Sequence, residues 1–198
     1  MASGSTDVSR ILYKEIVPGD LRKILAQSND SDSGGGARDL RFGSYSKVLP
    51  VIEKMFPKKT KEKRKRQGVV EKIDVFQGEF FWHNDKGKVE RKDSFFESPT
   101  DVRPSEGRIA RVHEYGCFDT GRMPQGGVGN RVLLLLVQLK DGSVWPYYAE
   151  ERTLRVKGKW DPVVARELLD CLDAKRAANR AVIGYRDFDN AARYCNGK

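Results

Sequence analysis

Two segments of the chain combine arginines with residues that let a main chain come close to an anion. The first, Asn29-Asp30-Ser31-Asp32-Ser33-Gly34-Gly35-Gly36-Ala37-Arg38-Asp39-Leu40-Arg41-Phe42, places three glycines before two arginines. Glycines accept positive φ and admit a ligand close to the backbone. Arg38 and Arg41 are an odd number of residues apart, so on an extended chain they point to opposite faces. The second segment, Thr100-Asp101-Val102-Arg103-Pro104-Ser105-Glu106-Gly107-Arg108-Ile109-Ala110-Arg111, alternates arginines with small and acidic residues. An arginine fork can hold guanine O6 and N7, and a carboxylate can accept from cytosine N4, so this pairing suits a G·C-containing duplex site. Each segment also has a plainer reading. The first can be a polar surface loop, and the second an ion-paired turn in which Glu106 pins Arg103 or Arg108.

Catalytic constellations are weaker. Asp74 followed by Glu90-Arg91-Lys92 has the order in which carboxylates and a lysine bind a divalent cation and polarise water in a Mg²⁺-dependent nuclease. A chain one-third charged also produces that order on a solvated strand face. His113 and Cys117 supply too few ligands for zinc, and His83 follows the aromatic run Phe80-Phe81-Trp82. With two histidines in the chain, general acid-base catalysis is not favoured. Cys117, Cys171 and Cys195 are odd in number and lack metal-ligand spacing, so neither a disulfide framework nor a structural zinc site is expected. The expectation is a reducing, cytoplasmic setting, with no catalytic residue, no metal and no cofactor in this chain.

The charge balance points outward. Thirty-seven Lys and Arg against 28 Asp and Glu leave +9 over 198 residues, which favours an anionic partner such as nucleic acid. A merely soluble basic protein remains the alternative, as does a basic interaction or RNA-binding protein with Phe80, Phe81 and Trp82 as a stacking platform. The run Lys58-Lys59-Thr60-Lys61-Glu62-Lys63-Arg64-Lys65-Arg66 shows no apolar periodicity, so residues 58–67 read as a mobile basic linker. Its Lys58, Lys59, Lys61, Lys63, Arg64, Lys65 and Arg66 are the candidate phosphate contacts, which bring affinity without sequence information. The longest apolar run, Val132 to Val137, is strand-sized, so no membrane span is expected.

The elements that must position these residues read as mainly β with flanking helices, an α+β arrangement in one domain over 1–198 with a flexible start at 1–8. A strand over Ile11 to Val17 precedes Pro18-Gly19-Asp20, with Asp20 as N-cap of a helix through Leu25. Arg38 to Gly43 reads as a strand, and Val48, Leu49, Ile52 and Met55 recur at helical spacing until Phe56-Pro57. Strands follow over Val69 to Phe76, Glu79 to His83, Lys88 to Phe96, Arg108 to Tyr115, Arg131 to Lys140 and Ser143 to Ala149, with Asp141-Gly142 as a hairpin turn. So many short antiparallel strands suggest a closed or nearly closed barrel. Asp161-Pro162 then opens a helix carrying Val164, Leu168, Leu169 and Leu172, and Ala181 to Phe188 adds a last strand.

Taken in order, Asn29-Asp30 to Gly36, Val51-Ile52-Glu53-Lys54-Met55-Phe56-Pro57, Arg108-Ile109-Ala110-Arg111, Asp119-Thr120-Gly121, Gly129-Asn130 and Val132 to Lys140 resemble the N-terminal effector-binding domain of EcoRII-type restriction endonucleases. The resemblance runs over about Gln27 to Ala149. It implies a B3-like DNA-binding pseudobarrel that grips the major groove of double-stranded DNA between two arms, with 5′-CCWGG as the family's target. By position the N-arm comprises Asn29, Asp30, Ser33, Gly34, Gly35, Gly36, Ala37, Arg38, Asp39 and Arg41. The C-arm comprises Arg103, Ser105, Glu106, Gly107, Arg108 and Arg111. Ala37-Arg38 stands where the family has a His-Gln pair, Gly107 where a basic residue is usual, and Pro104 also departs from the pattern. The resemblance further implies a covalently linked nuclease domain outside this chain, which reads as a monomeric targeting module. On this basis Arg38, Arg103, Glu106 and Arg108 are expected to read base edges, and Arg41 and the basic run to contact phosphate.

Overall fold

A computed structural model describes residues 7–25, 39–66, 69–118, 122–124, 130–174 and 181–196. The chain divides into two compact units, one formed by residues up to Ile16 together with those from Pro124 onward, the other by Val17–Met123. Both are built mainly from antiparallel strands with a few helices, as the sequence pattern predicts.

In the first unit, β1 (Val8–Glu15) pairs with β7 (Val132–Leu139) on one side and β9 (Ile183–Asp187) on the other. β8 (Val144–Glu150) continues the sheet from β7, and a short β10 (Arg193–Cys195) continues it from β9. The β7–β8 hairpin turns where expected. Gly142 sits at φ 89°, and the Asp141 carboxylate accepts from the Ser143 amide at 2.9 Å and hydroxyl at 2.6 Å, which holds its pKa below the usual carboxylate value. β7 is buried along almost its whole length, as an apolar run in mid-sheet requires. After the short α3 (Glu151–Leu154), α4 (Pro162–Ala174) starts as predicted, with Asp161 Oδ1 accepting the amides of Val163 and Val164. Its Val164, Ala165, Leu168, Cys171 and Leu172 share a core with Ile11, Tyr13, Leu133, Leu135 and Val137.

One expectation about this unit is corrected. Cys171 on α4 and Cys195 on β10 form a disulfide across a Cα separation of 5.8 Å. The odd cysteine count concealed it, because β10 lies against β9 at a place no spacing rule reports. Cys117, by contrast, is a buried free thiol whose pKa burial raises to about 12.

In the second unit, the order is β4 (Val69–His83), β5 (Val89–Glu97), β6 (Gly107–Ile109) and β2 (Leu40–Phe42), with β3 (Lys58–Arg66) pairing along the first half of β4. Two helices belong to it, α1 (Pro18–Leu25) and α2 (Tyr45–Met55). α1 begins at Pro18, before the expected cap Asp20, which lies inside the first turn and accepts the Val17 amide at 3.2 Å. α2 runs through Pro50 because Val48, Val51, Ile52 and Met55 are buried on either side of it.

Three sequence-based boundaries change here for physical reasons. Residues 58–66 form a strand and not a linker, since nine residues of β3 find backbone partners in Val69–Gln77 while their side chains stay polar. The two strands expected over Val69–His83 are one, because Gly78 marks a close approach and not a turn. A Cβ there would lie 2.9 Å from the Met55 carbonyl oxygen and 3.0 Å from the Phe56 ring. The strand expected over Arg108–Tyr115 ends at Ile109. Arg111 turns left-handed at φ 56°, and Val112, Tyr115 and Phe118 are then buried three residues apart, the period of the 3₁₀ turns that carry them. These turns close an aromatic cluster in which Phe80 meets Tyr115 at 5.3 Å, Phe118 at 5.7 Å and Phe56 at 5.8 Å between centroids.

Thiol titration checks the cysteine arrangement. The folded protein should give no reactive thiol, the denatured protein one, and the denatured and reduced protein three. Cys195→Ser should lower the unfolding free energy by about 3 kcal/mol in denaturant melts, the effect of opening a loop of this length.

Candidate nucleic-acid interface

The described parts of the two proposed arms are neighbouring strands. β2, at the end of the N-arm, pairs with β6 in the C-arm so that Leu40 faces Ile109, Arg41 faces Arg108 and Phe42 faces Gly107. Alternation sends Leu40, Phe42 and Ile109 into the core and puts both arginines on the opposite face. Asn29, Asp30, Ser33, Gly34, Gly35, Gly36, Ala37 and Arg38 lie outside the described residues.

Two like charges directly opposite would repel, and the fold answers with carboxylates. Arg108, its side chain 12% exposed, donates through Nε to Glu97 Oε2 at 2.6 Å, again through Nη2 to the same oxygen, and through Nη1 to Asp39 Oδ2 at 2.6 Å. Glu97 is nearly inaccessible and holds a second guanidinium, that of Arg64, at 2.9 Å on its other oxygen. Arg108 is therefore spent on the interior of the unit. Of the two readings open from the sequence, the ion-paired one describes it, with Glu97 and Asp39 as partners and not Glu106.

Glu106 pins the other arginines. Its Oε2 accepts from Arg41 Nη1 at 3.1 Å and from Arg103 Nη1 at 3.3 Å. The turn leading to it is on the surface. Asp101 to Ser105 are exposed, the Arg103 amide donates to the Thr100 carbonyl at 2.9 Å, and the Ser105 carbonyl accepts the Tyr45 amide at 3.1 Å. Gly107, at the place where the resembled family carries a basic residue, is buried, and a Cβ there would meet the Phe96 ring at 2.5 Å and the Tyr45 ring at 2.7 Å. Arg111 closes the segment, exposed, 6.0 Å from the Phe95 ring centroid and 3.9 Å from Glu114.

The basic run forms a second cationic surface. On β3 the side chains alternate, so Lys59, Lys61 and Lys63 share a face and Arg64 and Glu62 turn to the other, where they pair at 2.9 Å. Lys63 lies opposite Lys72 of β4, and Lys61 opposite Asp74. Lys59 reaches Asp74 at 2.9 Å and lies 5.0 Å from the Phe76 ring centroid. All four lysines of this face are exposed, as is Lys58 at the start of the strand. Lys65 and Arg66 belong to β3 by backbone pairing.

The other constellations are not assembled. Asp74 pairs with Lys59, whereas Glu90 accepts from Asn84 at 2.8 Å and Lys92 bridges to Glu114 at 3.0 Å. Glu90 lies opposite Trp82, eight residues along β4 from Asp74, or about 26 Å at strand rise. The Lys92 hydrogen bond keeps the Glu114 pKa below the usual carboxylate value. Phe80 and Trp82 are buried and Phe81 is half-buried, so the three rings do not form an exposed stacking platform. His83 and His113 are on the surface, and among the described residues no group of three His, Cys, Asp or Glu is placed to hold a metal ion.

Glu97 and Lys72 belong to neither of the two segments that stand out in the sequence. Lys72 carried a visible signal, an isolated lysine in the alternating stretch Val70-Glu71-Lys72-Ile73-Asp74 facing a basic run. Glu97 carried a fainter one, a carboxylate directly after the buried Phe96. No family model, no curated protein and no solved structure matches this chain.

Removing Arg108 strands two buried carboxylates. Arg108→Ala should cost about 3–5 kcal/mol of stability in urea unfolding, the effect of breaking a buried ion network from one side. Gly107→Ala should cost about 1–3 kcal/mol through overpacking against Phe96 and Tyr45.

Proposed function

We propose that the chain is a double-stranded DNA-binding module, a B3-like pseudobarrel of the kind that targets EcoRII-type restriction endonucleases, and that chemistry on the DNA belongs to a separate nuclease domain. The observation that carries this reading is the lysine face of the β3–β4 ribbon. Lys59, Lys61, Lys63 and Lys72 stand exposed on one side of a two-stranded antiparallel ribbon. A ribbon of that width fits a B-DNA major groove or lies along its rim, and lysines act there as point charges on phosphates. The adjacent β2 and β6 strands support it further, since they bring the ends of both arms to one edge of the same sheet. Within the C-arm, Arg103 stays exposed on the turn, whereas Arg108 is bound to Asp39 and Glu97. The target expected from the resemblance is 5′-CCWGG.

Replacing Lys61, Lys63 and Lys72 together by Gln should weaken binding to every duplex alike. It should also make the dependence of log Kobs on log salt shallower by roughly 2.7, one counterion step for each lost phosphate contact. Fluorescence anisotropy over a salt series measures both. Unchanged affinity and slope for the triple variant would overturn the reading, and competition with 5′-CCWGG against scrambled duplex reports the sequence preference.

A further inference from the structure

A cleft at the base of the C-arm turn is lined by Arg41, Ser98, Thr100, Arg103, Glu106 and Arg108, with about 230 Å³ of empty space when its open mouth is included. Its walls are unusual in composition. Three guanidinium groups, two hydroxyls and one carboxylate line it, and that carboxylate presents a single oxygen, Oε2, to both Arg41 and Arg103. The Thr100 hydroxyl is buried, the residue being 8% exposed, and has no hydrogen-bond partner among the described residues. A buried hydroxyl without a partner is costly unless a ligand completes it.

We propose that this cleft binds a phosphate group and that the Glu106 carboxylate is its internal stand-in. A carboxylate oxygen between two arginine forks occupies the position a phosphate oxygen takes in paired-arginine recognition, and a tetrahedral anion has a further oxygen to accept from Thr100. Glu106 can yield the position. It closes the turn whose residues 101–105 are exposed, and its own side chain is one-third exposed at 34%. Arg108 stays anchored to Glu97 and Asp39 throughout, so its side chain forms a fixed wall while Arg41 and Arg103 exchange partners. While Glu106 sits in place the two arginines are neutralised and held apart from solvent anions. When a phosphate enters, the carboxylate swings out and the local charge shifts by its departure.

The phosphate can come from a DNA backbone, which rests on the function proposed above, or from inorganic phosphate free in solution, which does not. Titration of the full chain with inorganic phosphate at constant ionic strength, followed by calorimetry, reads the cleft directly. Glu106→Gln keeps an acceptor for the arginines but removes the competing charge, and should tighten phosphate binding about fivefold. Glu79→Gln, the same charge change at an exposed position on β4, should leave it unaltered. Arg103→Gln and Thr100→Val should each weaken binding about fivefold, the valine removing only the hydroxyl at nearly constant volume. Circular dichroism melts on each variant verify that the fold is retained. Phosphate affinity that is absent in both the native chain and Glu106→Gln, or that responds equally to Glu79→Gln, overturns the cleft.

Duplex binding by the same variants separates the two sources. If duplex affinity follows Glu106→Gln and Arg103→Gln in parallel with phosphate, the backbone is the ligand. If phosphate responds and duplex does not bind, the cleft serves a free phosphate and the DNA reading fails alone. If duplex binding depends on the β3–β4 lysines while phosphate titrates nowhere, the cleft fails and the DNA reading stands.

Discussion

The second unit is organised around one carboxylate. Glu97 sits at the end of β5 with almost no exposure, and its two oxygens hold Arg64 of β3 and Arg108 of β6, which in turn reaches Asp39 at the start of β2. One ion network thereby ties together strands that backbone pairing connects only in sequence of neighbours. An ion network of this kind adds little net stability compared with well-packed apolar side chains, but it is severely sensitive to the loss of any member. Its value is positional. It fixes the register in which Arg41 and Arg108 stand side by side, with Arg108 held by Glu97 and Asp39 and Arg41 left to Glu106.

That division sorts cations that the sequence presents as equals. Arg108 and Arg103 are five residues apart and chemically identical, yet one is 12% exposed and bound to two buried acids while the other is 51% exposed on a turn. Strand pairing makes the difference, because β6 is only Gly107–Ile109 and the turn that carries Arg103 lies outside the strands. Gly107 completes the arrangement by letting Phe96 and Tyr45 close over the strand, which explains why the position holds the smallest residue and not a base. The same logic applies on β3, where alternation gives one face to Arg64 and its acids and the other to lysines.

Much of the fold was legible because local chemistry and tertiary packing agree. Asp161-Pro162, Asp141-Gly142 and the apolar run of β7 each state their structure through caps, turn residues and period, and the chain follows them. The failures share a cause, namely partners distant in sequence. Residues 58–66 look like a linker because a strand whose side chains face water has no apolar alternation, and only β4 supplies its hydrogen bonds. Cys171 and Cys195 look unrelated until β10 docks beside β9. At the candidate site the pairing of Glu106 with Arg103 was legible in the turn, whereas the partners of Arg108 were not. Glu97 wins Arg108 because β5 and β6 set the two residues opposite each other, and Glu106 is left to Arg41 and Arg103.

The two cationic surfaces of this unit differ in how they can meet an anion. The lysines of the β3–β4 face are hydrated point charges on long stems, suited to a line of phosphates whose spacing they need not match closely. Arg41 and Arg103 are forks already ordered by Glu106, so the cost of immobilising them is met within the folded chain before any ligand arrives. An anion entering the cleft must displace a covalently tethered competitor, which lowers its apparent affinity but leaves the geometry of the site prepared. A diffuse lysine face that attracts and a pre-ordered arginine cleft that selects for phosphate are complementary, and the Glu97 network holds the second in register with the first, because the strand that carries the lysines also carries Arg64.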